Sequence, residues 1–152
     1  MVRTRRSVWV AGCILAIVFG APGCDEKLSD LTGPTPNLQA TFSSIRTEIF
    51  ETTDLAGRTA CVSCHTNQGR FPAGNLNLRS DPYAALVGVA SAGRPALKRV
   101  EPGDPDASYL IHKLEGRSGI AGVRMPFNGP PFLTNGQLVV IRRWIELGAP
   151  NN

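Results

Sequence analysis

The chain has 152 residues, with 16 Lys and Arg against 12 Asp and Glu, 42% hydrophobic residues, 16 Gly and 12 Pro. That length holds one ordinary domain and excludes a second substrate-binding domain, and a charged fraction of only 18% excludes an intrinsically disordered chain. Arg3, Arg5 and Arg6 sit in the first seven positions; without them the count is 13 basic to 12 acidic, which gives no nucleic-acid surface.

From the N-terminus, the three arginines are followed by an apolar run from Val8 to Phe19 and then by Gly20-Ala21-Pro22-Gly23-Cys24. A basic start, a short apolar stretch and a small-residue exit predict a secretory signal peptide over residues 1–23. The run is too short for a membrane span, which takes about 20 apolar residues. Arg5-Arg6 reads as the positive start of that signal, since Ser7-Val8-Trp9 continues a twin-arginine motif poorly. Cys24 stands where a bacterial lipoprotein box carries its lipidated cysteine, although Ala21-Pro22-Gly23-Cys24 lacks the usual Leu three residues before it; the alternative is a plain cleaved signal with Cys24 unused. The expectation is an exported chain anchored by lipid at Cys24 on the periplasmic side, with no other membrane contact. Residues 24–37, polar and broken by Gly33, Pro34 and Pro36, predict a tether, and residues 38–152 the folded domain.

Within the domain, Leu38, Phe42, Ile45 and Ile49 recur at helical spacing and predict a first helix starting at Pro36 or Asn37. Residues 66–80 predict an irregular loop. Asp81-Pro82 predicts a capped helix to about Val87, and Asp104-Pro105 another to about Leu114, with Gly116 beyond it. Residues 116–133 predict a second irregular stretch. Thr134 or Asn135 opens a last helix through Leu147, stopped by Gly148 and Pro150, with Leu138, Ile141, Trp144 or Ile145, and Leu147 on its apolar side. No run alternates with period two. The fold class is therefore all-α, about four short helices with long loops, and loops of that length wrap something other than themselves.

Cys61-Val62-Ser63-Cys64-His65 supplies a candidate for what they wrap. C-x-x-C-H is the attachment signature of c-type haem: two thiols three positions apart reach the two vinyl groups on one side of a porphyrin, and the adjacent His becomes the proximal iron ligand. This composition produces the pentapeptide by chance about 0.001 times, so accident is set aside. Two other chemistries use such cysteines. A thioredoxin-like disulfide belongs to a fold built around a sheet, and a zinc site wants four ligands, for which His112 is the one further strong candidate. With Cys13 in the leader and Cys24 at the lipid position, no cysteine is left for a structural disulfide.

For the sixth iron position the mature chain holds one Met, Met125, in the loop Arg124-Met125-Pro126, and one other His, His112. A thioether is soft and neutral and favours ferrous iron. The alternative role for Met125 is an apolar gap-filler. His112 lies within a helix whose apolar neighbours already fill its buried side and reads as a surface or outer residue.

These elements together resemble a class I cytochrome c domain, from a helix before C-x-x-C-H to a helix after a distal Met loop, over about Leu38 to Pro150. Residues 99–111, Met125-Pro126 and the run 141–149 (Ile-Arg-Arg-Trp-Ile-Glu-Leu-Gly-Ala) are similar to the small planctomycete-type cytochrome c domains. The resemblance implies one covalent haem c on Cys61 and Cys64, with His65 and Met125 as iron ligands. It implies single-electron transfer between redox protein partners (a dehydrogenase, an oxidase or another cytochrome) in the cell envelope, with no enzymatic step. Iron left five-coordinate would instead imply a peroxide- or gas-handling enzyme or sensor, and a third possibility is a haem-bearing docking module of a larger oxidoreductase. The family also packs its first and last helices together, for which Phe50 or Ile49 against Trp144 is the expected pair. A carbonyl near Pro72 would fix the His65 ring, and Arg124 is the basic residue nearest the ligand for a haem propionate.

Overall fold

The computed structural model describes Thr35 and residues 37–152; the predicted leader, Cys24 and the rest of the tether lie outside the described residues. The described residues form four α-helices: α1 (Phe42–Ile45), α2 (Pro82–Leu86), α3 (Tyr109–Glu115) and α4 (Asn135–Glu146). Short 3₁₀ turns occupy Cys61–Ser63 and Ala73–Asn75. There is no strand among the described residues, only isolated bridges such as Val87 with Val100, so the architecture is all-α. Nor is any helix among them long and apolar enough to cross a membrane.

α1 begins at Phe42, later than the hydrophobic stripe suggests. The Thr41 hydroxyl accepts the Ser44 N–H at 3.3 Å, a side-chain cap that fixes the start, and the Gln39 N–H is drawn to the Ser44 hydroxyl at 2.9 Å. Leu38 is still buried, but ahead of the helix. At its other end α1 widens into a π turn, Arg46–Phe50, closed by Glu51 N–H to the Arg46 carbonyl at 3.0 Å. Both Ile49 and Phe50 are buried there, and the Ile49 carbonyl is left among the unpaired acceptors of a helix end.

α2 follows its sequence signals: Asp81 caps the Ala84 N–H at 3.0 Å, and Pro82 takes the first turn. Asp104-Pro105 does not open α3. The Asp104 carboxylate accepts from Ala107 N–H at 2.9 Å and closes a separate turn; Ser108, fully buried and bonded to the Asp104 carbonyl at 2.7 Å, ends that turn before α3 begins. Gly116 stops α3 in the left-handed conformation at φ 74°. α4 carries a full capping box between Thr134 and Gln137. Leu147 lies past the end of α4 and is 53% exposed, so the apolar side consists of Leu138, Ile141, Trp144 and Ile145.

The first and last helices meet in one core that holds Phe42, Ile49, Phe50 and Trp144. The Phe42 ring lies 5.5 Å from Trp144 and edge-on to Tyr83 at 5.2 Å, while Ile49 and Phe50 turn toward the interior cavity. Gln137 also donates to the Thr35 hydroxyl at 3.1 Å, tying the segment before α1 to the start of α4. On the outer side, Arg117 and Arg142 share Asp106 and Glu115, linking α3 to α4 through four ion-pair contacts of 2.6–3.0 Å.

Candidate functional site

The pentapeptide Cys61–His65 forms the 3₁₀ turn Cys61–Ser63 and the residues just after it. The Cys64 and His65 N–H groups both donate to the Cys61 carbonyl, at 3.2 and 3.0 Å. A 3₁₀ turn brings residues three apart onto one side, so the two thiols are neighbours. Both are free: Cys61 is half-buried and Cys64 exposed. Burial pushes the Cys61 thiol up from its ordinary range, opposed chiefly by the Arg58 guanidinium beside it.

Arg58 is itself fully buried. Its Nε donates to Asp54 at 3.0 Å and its Nη1 to the Ile49 carbonyl at 3.1 Å, the acceptor freed by the π turn, while Nη2 has no partner. The Cys61 thiol lies 3.7 Å from the same carbonyl. The end of the first helix therefore anchors the attachment segment through one oxygen.

His65 Nδ1 lies 2.8 Å from the Ala73 carbonyl. A carbonyl can only accept, so Nδ1 carries the proton and the Nε2 lone pair is left for a ligand. Burial lowers the imidazole pKa, an effect that the Ala73 carbonyl opposes and the nearby Arg99 and Lys113 cations reinforce. The ring is thus held neutral, the form in which imidazole binds metal. The expected carbonyl near Pro72 is that of the next residue.

Cys61, His65 and Met125 all line one apolar cavity of about 290 Å³, with Ile49, Phe50, Leu76, Leu78, Leu86, Leu110 and Leu114 among its walls. Small residues, Ala73-Gly74 and Ser91-Ala92-Gly93, form another part of the lining. Gly93 has no room for a side chain: a Cβ there would stand 2.9 Å from the Tyr109 hydroxyl and 3.2 Å from the Ala121 Cβ. Arg99 and Lys113 are the charged residues of the lining. Arg99 spends its guanidinium on the Ala85 and Asn75 carbonyls, at 2.7 and 2.8 Å.

Two sequence candidates lie elsewhere. His112 faces away from the cavity and pairs its Nε2 with the Asp106 carbonyl at 2.6 Å. Arg124 also points away, donating to the Leu114 carbonyl at 2.7 Å with its guanidinium 4.1 Å from the Phe132 ring centre. The Cys64 side chain is not part of the cavity wall either. Among the described residues no group of three or more His, Cys, Asp or Glu side chains converges as a metal cluster. Arg58, the Ile49 carbonyl and Lys113 had no signal in the sequence pattern, because each matters only through contacts made across the fold.

The residues fit a covalent haem by the chemistry of their donors. One thiol, a neutral imidazole with a fixed tautomer and a thioether share an apolar wall, and the second thiol stands one turn from the first. Comparison of the chain with protein-family models, with curated proteins and with solved structures finds no match.

Proposed function

We propose that the protein is a mono-haem c-type cytochrome of class I type that carries single electrons between redox partners in the cell envelope. The observation that carries this reading is the meeting of Cys61, His65 and Met125 on one apolar cavity, with the His65 tautomer set by Ala73. In this reading Cys61 and Cys64 would hold the haem by thioethers, and His65, through Nε2, and Met125 would be its iron ligands. The haem would contribute the one-electron iron couple. The leucines and Phe50 keep water from the iron, and the thioether favours the ferrous state. His65 and Met125 would together supply two ligands to the iron, which favours a carrier over an enzyme that needs an open iron position. The basic start, apolar run and Cys24 of the sequence support a carrier exported from the cytoplasm and anchored by lipid.

The test is a visible spectrum and an extraction. Protein made with a cytochrome maturation system should keep its haem through a denaturing gel and through acid-acetone treatment. Loss of the haem on extraction would sink covalent attachment. Replacing either Cys61 or Cys64 by Ala should leave one vinyl group conjugated and move the ferrous α-band to longer wavelength.

A further inference from the structure

We infer that Lys113 is the positioning residue for the distal ligand loop, holding Met125 at the cavity; this rests on the ligand role proposed above for Met125. The loop from Arg117 to Leu133 has no regular structure of its own, so something outside it must fix where Met125 sits. One residue of α3 supplies most of that. The Lys113 carbonyl accepts the Met125 N–H at 2.8 Å, and the Lys113 ammonium turns back to donate to the Ala121 carbonyl at 2.8 Å and to the Val123 carbonyl. Residues 121, 123 and 125 are therefore all bonded to Lys113, at the approach to the ligand and at the ligand itself. Tyr109, four residues earlier and so on the same face of α3, adds the Ala121 N–H to its hydroxyl at 2.8 Å.

A lysine suits this task. Its ammonium offers three donors on a flexible stem, enough to satisfy two loop carbonyls at once, and bonds from a charged donor are stronger than neutral ones. Its four-carbon stem shares the cavity wall with Leu110 and Leu114. An apolar residue of equal length would keep that packing and lose the two bonds. On this reading Lys113 sets how often the loop opens and exposes the iron, while Met125 sets what the iron meets when the loop is closed.

The experiment uses the full chain with haem attached, in the ferric state, and imidazole as the competing ligand. Lys113→Met should raise the imidazole association constant at least about tenfold and weaken the far-red thioether charge-transfer band, with helix content unchanged. Lys113→Arg, whose fork can still reach both carbonyls, should restore both properties. If Met125→Ala opens the iron to imidazole while Lys113→Met behaves as wild type, the positioning role is overturned and the ligand role of Met125 survives. If Met125→Ala changes nothing and Lys113→Met removes the sixth ligand, Lys113 is itself the ligand and both readings fall.

Discussion

The buried pair Asp54–Arg58 offers the sharpest energetic test, because it sits between the first helix and the cysteine segment. Its side chains are 4% and 0% exposed, and the Asp54 carboxylate accepts three hydrogen bonds at 3.0 Å: from the Ala56 N–H, the Arg58 N–H and Arg58 Nε. Removing one member of a dehydrated ion pair strands the other charge, at about 3–5 kcal/mol. Asp54→Ala should fall in that range, a large part of the 5–15 kcal/mol that a domain typically has. Arg58→Met should cost less, about 1–3 kcal/mol, since Asp54 keeps its two backbone donors and the partnerless Nη2 disappears. The double variant Asp54→Ala with Arg58→Met should be more stable than the sum of its parts by at least about 1 kcal/mol. Guanidinium denaturation followed by far-UV circular dichroism reads all four proteins, at constant slope if the transition stays two-state. A cost below about 1 kcal/mol for Asp54→Ala would refute the description of a dehydrated pair, since that is the range of exposed ones.

Met125→Ala should abolish the far-red ferric band, lower the midpoint potential and admit carbon monoxide to the ferrous iron; unchanged spectra and gas binding would return the protein to the five-coordinate enzyme or sensor class. Gly93→Ala should cost about 1–3 kcal/mol in thermal or chemical denaturation by pressing on the Tyr109 hydroxyl, and adding Tyr109→Phe should make the combined loss smaller than additive. Asp106, 66% exposed, has its carboxyl held down to about 2 by hydrogen bonds from Arg117 and Arg142. A carboxyl depressed in the folded state contributes its stability above its ordinary pKa and loses it as pH falls toward the folded value. The α3–α4 ion cluster should therefore weaken between about pH 4 and pH 2. Asp106→Asn should remove that part of the acid dependence, and an identical acid-unfolding curve for this variant would contradict the assignment.

What could be read directly from the sequence was local chemistry. Asp81, Thr134 and Gly116 act within one turn of themselves, and the structure places all of them as caps; the Gln137 half of the Thr134 cap shows only in the structure. Cys61, Cys64 and His65 stand together because their spacing is fixed by one turn, and Met125 joins Cys61 and His65 on the cavity wall from a loop that only elimination had singled out. The misplacements have a common cause. Leu38 satisfies helical periodicity without being helical, because burial constrains where a side chain goes and not the backbone that carries it. Asp104-Pro105 carries the same signal as Asp81-Pro82, but Ser108 closes the turn with its own hydroxyl. Phe42 stacks near Trp144, while Ile49 and Phe50, in the π turn, line the cavity. Lys113 on a short helix looks like an ordinary solvated residue until the returning loop lies against it.

That π turn also makes the first helix sensitive to length in a way that ordinary helices are not. A π turn holds one residue more than an α-helix needs to close, so residues 46–50 amount to an insertion preserved in the register. Two things downstream count from it: the pair Ile49 and Phe50 on the cavity wall, and the Ile49 oxygen that both Arg58 and Cys61 approach. Loss of a single residue here would let the chain close as a plain helix, and the carbonyl now offered to Arg58 and Cys61 would move with the closed turn. Substitutions in this stretch change what lines the cavity, whereas a one-residue deletion disconnects the helix from the cysteines.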